Sequence, residues 1–260
     1  MQTPTLIPWL LSALLAGAPP AGAATAAERD PLGSMQWPAL RDEFLGAKAK
    51  VGFDPRVQVH SPAFAEDPMN VPVSVEVQGL GEVELILVLV DRNPIRKVLE
   101  FYPLDALPAL SFRFKLEQAS PVRAAVRTRD GRWHVGSSWV ESAGGGCSAP
   151  ASSRSDGSWA QHLGQVSARR FSGLAQPSGT RLRLRVMHPM DTGLGGGVPA
   201  FYLKQLQLKN AQGRTLSRLK TFEPVSENPI FSFDFASPLA GALRLQGSDN
   251  NGNRIEGAIP

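Results

Sequence analysis

From Val57 onward the chain is built of short runs whose apolar residues alternate or cluster over about a strand's length, each broken by Gly, Pro, Asn or Asp. A repeat of two puts successive side chains on opposite faces of an extended strand, whereas a helix needs apolar residues three and four apart. The segments "VQVHSP", "NVPVSVEVQG", "EVELILVLVDRNP", "SFRFKLEQ" and "VRAAVRTRDGRWHVGSSWVE" are therefore predicted strands of a half-buried sheet, with Asp130-Gly131 as a hairpin turn. A second block of the same kind follows: "TRLRLRVMHPMDTG", "AFYLKQLQLKNAQGRTLSRLKTF", "PIFSFDFASP" and "GALRLQGSDNNGNRIEGAIP". The 25 Gly and 22 Pro suit an architecture of many turns. One helix is predicted, in "WPALRDEFLGAKAK", where Trp37, Leu40, Phe44 and Leu45 fall at helical spacing and Pro38 fits a first turn. The expected fold class is all-β, with two-layer β domains and a short N-terminal helix.

At 260 residues and 42% hydrophobic, the chain can fill one large core or two small ones. Its first residues hold an apolar run from Leu6 to Ala16 and then Ala21-Gly22-Ala23, the small-x-small pattern of a signal-peptidase site. Residues 1–23 are thus expected to be a cleaved secretory signal and the mature protein to be periplasmic. Beyond it the most apolar stretch, Val83 to Val90, is strand-length and carries Glu84, which is too short to span a bilayer as a helix. A formal charge of +4 on an exported chain argues against a nucleic-acid partner.

Between the two strand-rich blocks lies "ESAGGGCSAPASSRSDGS", with the only cysteine of the chain, Cys147, directly after Gly144, Gly145 and Gly146. The composition is that of a linker, so residues 35–142 and 174–260 are read as two β domains and 143–173 as a Gly/Ser-rich connecting segment. No disulfide within the chain is possible, and a lone thiol in an oxidising compartment is kept reactive or joined to another molecule. The segment has few apolar side chains with which to bury Cys147, which predicts an exposed thiol on a flexible arm. Neighbours in sequence include no Lys, Arg or His close enough to activate it, so its pKa is expected near the free value of about 8.5. A thiol on a hinge, without a fixed base, suits a carried group better than a catalytic nucleophile.

Other chemistries find little support. The four histidines are scattered without metal-ligand spacing, and there is no nucleophile elbow or phosphate-binding loop. "GLGGGVPA" reads as a flexible turn. Arg181, Arg183 and Arg185 share one face of a strand, either as an anion-binding stripe or, the preferred reading, as the solvated face of a sandwich strand.

The first block, with "VDRNP", "RTRDGRWHVGSSWVE" and the following "GGGC", resembles SoxY, the sulfur carrier subunit of periplasmic thiosulfate oxidation, whose chain ends in a glycine-flanked cysteine arm. The second, with "HPMDTG", "NPIFSF" and "SDNNGN", resembles SoxZ, its partner subunit. The order of the two in one exported chain is similar to fused SoxYZ-like carriers associated with quinoprotein dehydrogenases. That resemblance implies two immunoglobulin-like sandwiches packed on each other. It also implies that Cys147 is the covalent attachment point for a sulfur-containing intermediate, that Gly145 and Gly146 belong to its arm, and that no cofactor is bound. Its partners would be periplasmic enzymes that load and unload the cysteine, possible candidates including a quinoprotein dehydrogenase. Ser148-Ala149-Pro150 replaces the family's final glycines, so an arm free at one end has become a loop tethered at both. The alternative from another class is a non-catalytic accessory or binding protein of a periplasmic quinoprotein dehydrogenase, with a cysteine that is incidental or makes an intermolecular disulfide. "HPMDTG" and "VDRNP" are read as structural turns, the former at the contact between the halves.

Overall fold

The structure is a computed structural model, which describes residues 29–157, 159–173 and 178–260. The segment assigned to the secretory signal lies outside these residues. A short helix, α1 (Trp37–Arg41), continues through one wider turn over Asp42–Gly46, as the spacing of Trp37, Leu40 and Leu45 predicts. The strands of the first half are β1 (Val51–Phe53), β2 (Val57–His60), β3 (Phe64–Ala65), β4 (Val71–Val77), β5 (Val83–Val90), β6 (Lys97–Tyr102), β7 (Ala109–Phe114), β8 (Ser120–Thr128) and β9 (Trp133–Ser142). Two short helices follow, α2 (Ser153–Asp156) and α3 (Trp159–His162). The second half supplies β10 (Val166–Ser172), β11 (Thr180–Val186), β12 (Leu203–Asn210), β13 (Thr215–Thr221), β14 (Ile230–Phe235), β15 (Leu243–Asp249) and β16 (Arg254–Ile259). No helix among the described residues is long and apolar enough to cross a membrane.

The fold class is all-β, with two stacked sheets and a short N-terminal helix, consistent with immunoglobulin-like sandwiches. The halves do more than pack on each other: both sheets run through from one to the other. The larger sheet has the order β1-β9-β8-β5-β6-β13-β12-β15-β16, with β3 also beside β9, and the smaller one β10-β11-β14-β7-β4-β2. The seams are β6 on β13, where Phe101 faces Leu219, and β7 on β14, where Leu110 faces Phe233. Phe101 and Phe233 then meet between the sheets, ring centroids 5.5 Å apart, inside a core drawn from both halves. Each seam removes two sheet edges that would otherwise expose unpaired backbone groups.

Strand β5 shows why its sequence is apolar throughout. Ile86, Val88 and Val90 face the core between the sheets, while Leu85, Leu87 and Leu89 face a second cluster roofed by Trp37, Leu40 and Leu45. A strand covered on both faces has no polar side. The roof is fastened by Arg123, which is fully buried: its guanidinium pairs with both oxygens of Asp91 at 2.7 and 2.8 Å and both of Asp30 at 2.8 Å. The ring of Trp37 lies 4.5 Å from that guanidinium, so the ion triad and the cation–π contact hold one edge of α1.

The segment 143–173 is not a linker throughout. Its last part is β10, fully paired with β11 from Val166↔Val186 to Ser172↔Thr180, and it also contains α2 and α3. β10 has no fully buried residue, as befits its place at the edge of the smaller sheet, and so carries little apolar signal in the sequence.

Candidate functional site

Where β9 ends at Ser142, the chain turns back over the end of the smaller sheet. Gly144 and Gly145 adopt φ of +93° and +86°, a region that favours glycine. The Gly145 and Gly146 N–H groups donate to the carbonyls of Glu117 and Leu116, and Ala149 N–H closes a turn onto Gly145. Cys147 sits at the middle of that turn.

The thiol is fully buried, contrary to the exposed position predicted from its neighbours. The apolar and polar walls that the segment lacks come from elsewhere in the chain. Gly146 is packed so closely that a Cβ there would lie 2.1 Å from the Pro68 carbonyl oxygen and 2.7 Å from that of Leu116. The glycines of the arm therefore act as close-packing residues in this conformation, not as a slack hinge. Cys147 Sγ donates to the Lys115 carbonyl oxygen at 3.4 Å, a bond that only the protonated thiol can make.

Glu117 clamps the arm from one side. Its carboxylate accepts from the Cys147 N–H at 3.0 Å, the Ser148 N–H at 3.1 Å and the Ser148 hydroxyl at 2.8 Å. The second half of the protein clamps it from the other: Thr192 Oγ1 donates to the Cys147 carbonyl at 2.5 Å, and Gly195 lies against the Ser148 carbonyl, where a Cβ would be only 2.1 Å away. Beyond the turn, Glu227 accepts from the Ser152 and Ser153 N–H groups at 2.6 and 2.9 Å. Cys147 is thus seated at the junction of the two halves.

Lys115 stands beneath it, fully buried, with Nζ donating to the Met190 carbonyl at 2.6 Å. Burial pulls the Lys115 pKa below its usual value, against the opposing pull of Asp191, Cys147 and Glu227. Burial pushes the Cys147 thiol up to about 12, Glu117 adds to the rise, and Lys115 acts against it. The expectation of a pKa near the free value fails for this docked state, because that reasoning counted only neighbours in sequence.

The motifs quoted from the sequence converge here. Asn93 of "VDRNP" bridges the segment under the arm, donating to the Lys115 carbonyl at 2.8 Å and accepting from the Glu117 N–H at 2.9 Å. "HPMDTG" supplies Met190 in a left-handed conformation (φ +53°), Thr192 on the arm, and Asp191, whose Oδ2 pairs with Arg154 at 2.6–2.7 Å. Met190 N–H donates to His188 Nδ1 at 3.1 Å, which places the proton of the neutral ring on Nε2, 3.6 Å from Asp249 of "SDNNGN". Burial lowers the His188 pKa to about 4 despite Asp249, so the ring is neutral at ordinary pH. Asn228 of "NPIFSF" closes the set, accepting from the His188 N–H at 3.1 Å.

Sequence reading missed Lys115, Glu117 and the direct part of Thr192. In "SFRFKLEQ" the period of two puts Lys115 on the outer face with Ser111 and Arg113, but β7 ends at Phe114 and the chain turns Lys115 inward. The arginine stripe of β11 does lie on the outer face, with Arg181 paired to Asp234 at 2.7 Å. The "GLGGGVPA" turn is open at Gly196 and Gly197 and closely packed at Gly195.

Comparison with known proteins agrees with this two-part construction. Residues 41–147 match the family model of sulfur oxidation protein SoxY, and residues 174–259 that of sulphur oxidation protein SoxZ. No curated protein matches the chain significantly. Among solved structures, the sulfur carrier protein SoxY from Chlorobium limicola f thiosulfatophilum aligns at 18% identity and a TM-score of 0.35, over 41% of this chain and 90% of that one. A beta-glycosidase from Bacteroides vulgatus aligns at 11% identity and a TM-score of 0.24, over 79% of this chain and 25% of that one. Scores this low establish nothing further, whereas the two family matches cover most of the chain and the first ends on Cys147 itself. With a SoxY domain followed by a SoxZ domain in one polypeptide, the chain belongs to the fused SoxYZ-like carriers.

Proposed function

We propose that this protein is a periplasmic sulfur carrier that holds a sulfur-containing intermediate covalently on Cys147 and presents it to partner enzymes. The observation that carries the reading is the seat of the lone thiol: it lies at the junction of both halves, held by the Glu117 carboxylate, the Lys115 carbonyl and the Thr192 hydroxyl from SoxY-type and SoxZ-type parts of the chain. Joining a sulfur species to the thiol, R–SH + HS–X giving R–S–S–X, releases two protons and two electrons. A partner enzyme's electron acceptor takes those electrons, so the protein itself is a carrier and not a catalyst. The docked conformation fits the empty carrier. An adduct replaces the proton that Sγ donates to Lys115 O and adds atoms to a site with no exposed surface. Loading therefore belongs to the released arm, and the glycines at φ near +90° that pack the arm in also let it swing out.

Intact mass of Cys147-containing protein purified from its native host, grown with a reduced sulfur compound, tests the reading. A carrier shows sulfur-containing mass increments that vanish in Cys147→Ser. A thiol found free or only glutathionylated under every growth condition refutes it.

A second reading draws on the same burial. In it the shared sandwich is a non-catalytic accessory or binding module of a periplasmic quinoprotein dehydrogenase, and Cys147 is an inert core residue. Cys147→Ser separates the two: the carrier loses all function, while the binding module keeps it.

A further inference from the structure

The outer face of the smaller sheet is cationic where it approaches the cysteine. Burial alternates along its strands: Leu110, Phe112 and Phe114 of β7 and Leu182, Leu184 and Val186 of β11 point inward, leaving Arg113, Arg183 and Arg185 exposed on the outside. Their guanidinium groups have no hydrogen-bond or ion-pair partner among the described residues, and Arg169 beside Arg183 is likewise unpaired. The acidic side chains on this face are Asp234, which Arg181 already neutralises, and Glu76 in the row farther from the cysteine. At the near end, Glu117 and Glu227 accept from N–H groups of the arm, and Asp67, beside Pro68, accepts from Met69 N–H and Asn70 Nδ2, which leaves Glu66 as the exposed carboxylate there.

The surface is shaped as well as charged. One row runs in register across the sheet as His60, Ser74, Ser111, Ser232, Arg183 and Arg169. Its three small serines leave a shallow groove of about 440 Å³, with Arg113 and Arg183 on its walls. Arg113 is two residues before Lys115, whose carbonyl accepts from the thiol, so the cationic face adjoins the segment on which Cys147 is seated. Unpaired arginines in an open groove cost nothing when solvated and gain most from an opposing negative surface.

We propose that this face, centred on Arg113, Arg183 and Arg185, is the docking surface for an acidic patch on the protein that loads Cys147. A partner seated there faces the end of the sheet from which the arm is released. The inference rests on the carrier reading and adds where the partner binds and by what chemistry.

The full-length protein and its Arg113→Ser/Arg183→Ser/Arg185→Ser variant are added, reduced, to periplasmic extract of the native host with thiosulfate. Adduct formation on Cys147 is followed by intact mass at two ionic strengths. Lys204→Ser/Arg244→Ser/Arg254→Ser, which removes equal charge from exposed positions on the other sheet, is the control. Docking on the cationic face predicts a tenfold or greater loss of loading rate at low salt for the first variant, with a flattened salt dependence, an unchanged melting temperature and an unaffected control. Equal loading of wild type and variant, or an equal loss in the control, overturns the docking proposal alone. No adduct on the wild type overturns the carrier reading and the docking proposal with it.

Discussion

Arg123 and Lys115 are both cations with fully buried side chains, and the protein treats them in opposite ways. Arg123 is surrounded by two carboxylates that satisfy it with short, paired bonds, and its pKa is raised although burial opposes this. Lys115 Nζ has one hydrogen bond among the described residues, to the Met190 carbonyl, feels Asp191 and Glu227 only at longer range, and has its pKa lowered by burial. A buried charge with matched counter-ions is a rivet, and removing one partner strands the others. A buried charge with little compensation beside a thiol does not fasten the fold in the same way. The contrast separates the riveted roof of the molecule from the cysteine dock, which the proposed carrier role requires to open.

The largest expected effect tests the rivet. Arg123→Met leaves Asp30 and Asp91 facing each other without a cation, which should cost about 3–5 kcal/mol in urea unfolding. Lys115→Met removes a poorly compensated charge at the expense of one hydrogen bond and should change stability by about 1 kcal/mol or less. If Lys115→Met unfolds the protein as readily as Arg123→Met, the distinction between the two regions fails.

The next effect sharpens the contrast between two glycine runs that look alike in sequence. Gly146→Ala drives a methyl into the carbonyls of Pro68 and Leu116, so it should displace the arm and raise the rate of Cys147 alkylation at least tenfold in the folded protein. Gly197→Ala meets no neighbour and carries only the strain of φ +72°, so it should cost about 1 kcal/mol at most and leave alkylation unchanged. Glu117→Gln, which weakens charge-assisted bonds to Cys147 and Ser148, should raise alkylation severalfold, a smaller effect than Gly146→Ala.

The smallest effect is one of pH. Burial raises the docked thiol's pKa to about 12, well above the ordinary value for a free thiol, so the docked state keeps its proton between the two. Docking is at full strength below the free value and weakens as the pH rises toward 12. The alkylation rate of Cys147 should therefore keep climbing above the pH at which the rate for a free thiol levels off. Rates measured to pH 10.5 against the urea-unfolded chain check this, and a plateau at the same pH for both contradicts it.

Much of the fold is legible in the sequence because alternation is local. The strands, the Asp130-Gly131 hairpin with Gly131 at φ +79°, and the helix of Trp37 and Leu40 all follow from short-range pattern. The two seams are not legible, since β6 and β13 lie more than a hundred residues apart and nothing in either strand's pattern names its neighbour. The site divides the same way. Cys147 is identifiable as the lone thiol in a glycine-rich segment, but its burial depends on Pro68, Leu116, Glu117 and Thr192, which only the tertiary fold brings to it. Segment composition describes what the arm can bury by itself and is silent on what closes over it.

In the proposed carrier, Cys147 leaves its dock by local release, without unfolding of the sandwich. Alkylation of the reduced protein across low urea concentrations measures the opening directly, because the urea dependence of the rate reports how much surface is exposed when the thiol becomes reactive. Local release predicts labelling that is far slower than for the unfolded chain, faster than global unfolding allows, and nearly independent of urea below the unfolding transition. A rate that rises with the full urea dependence of global unfolding would show Cys147 to be an inert core residue and would contradict the carrier account.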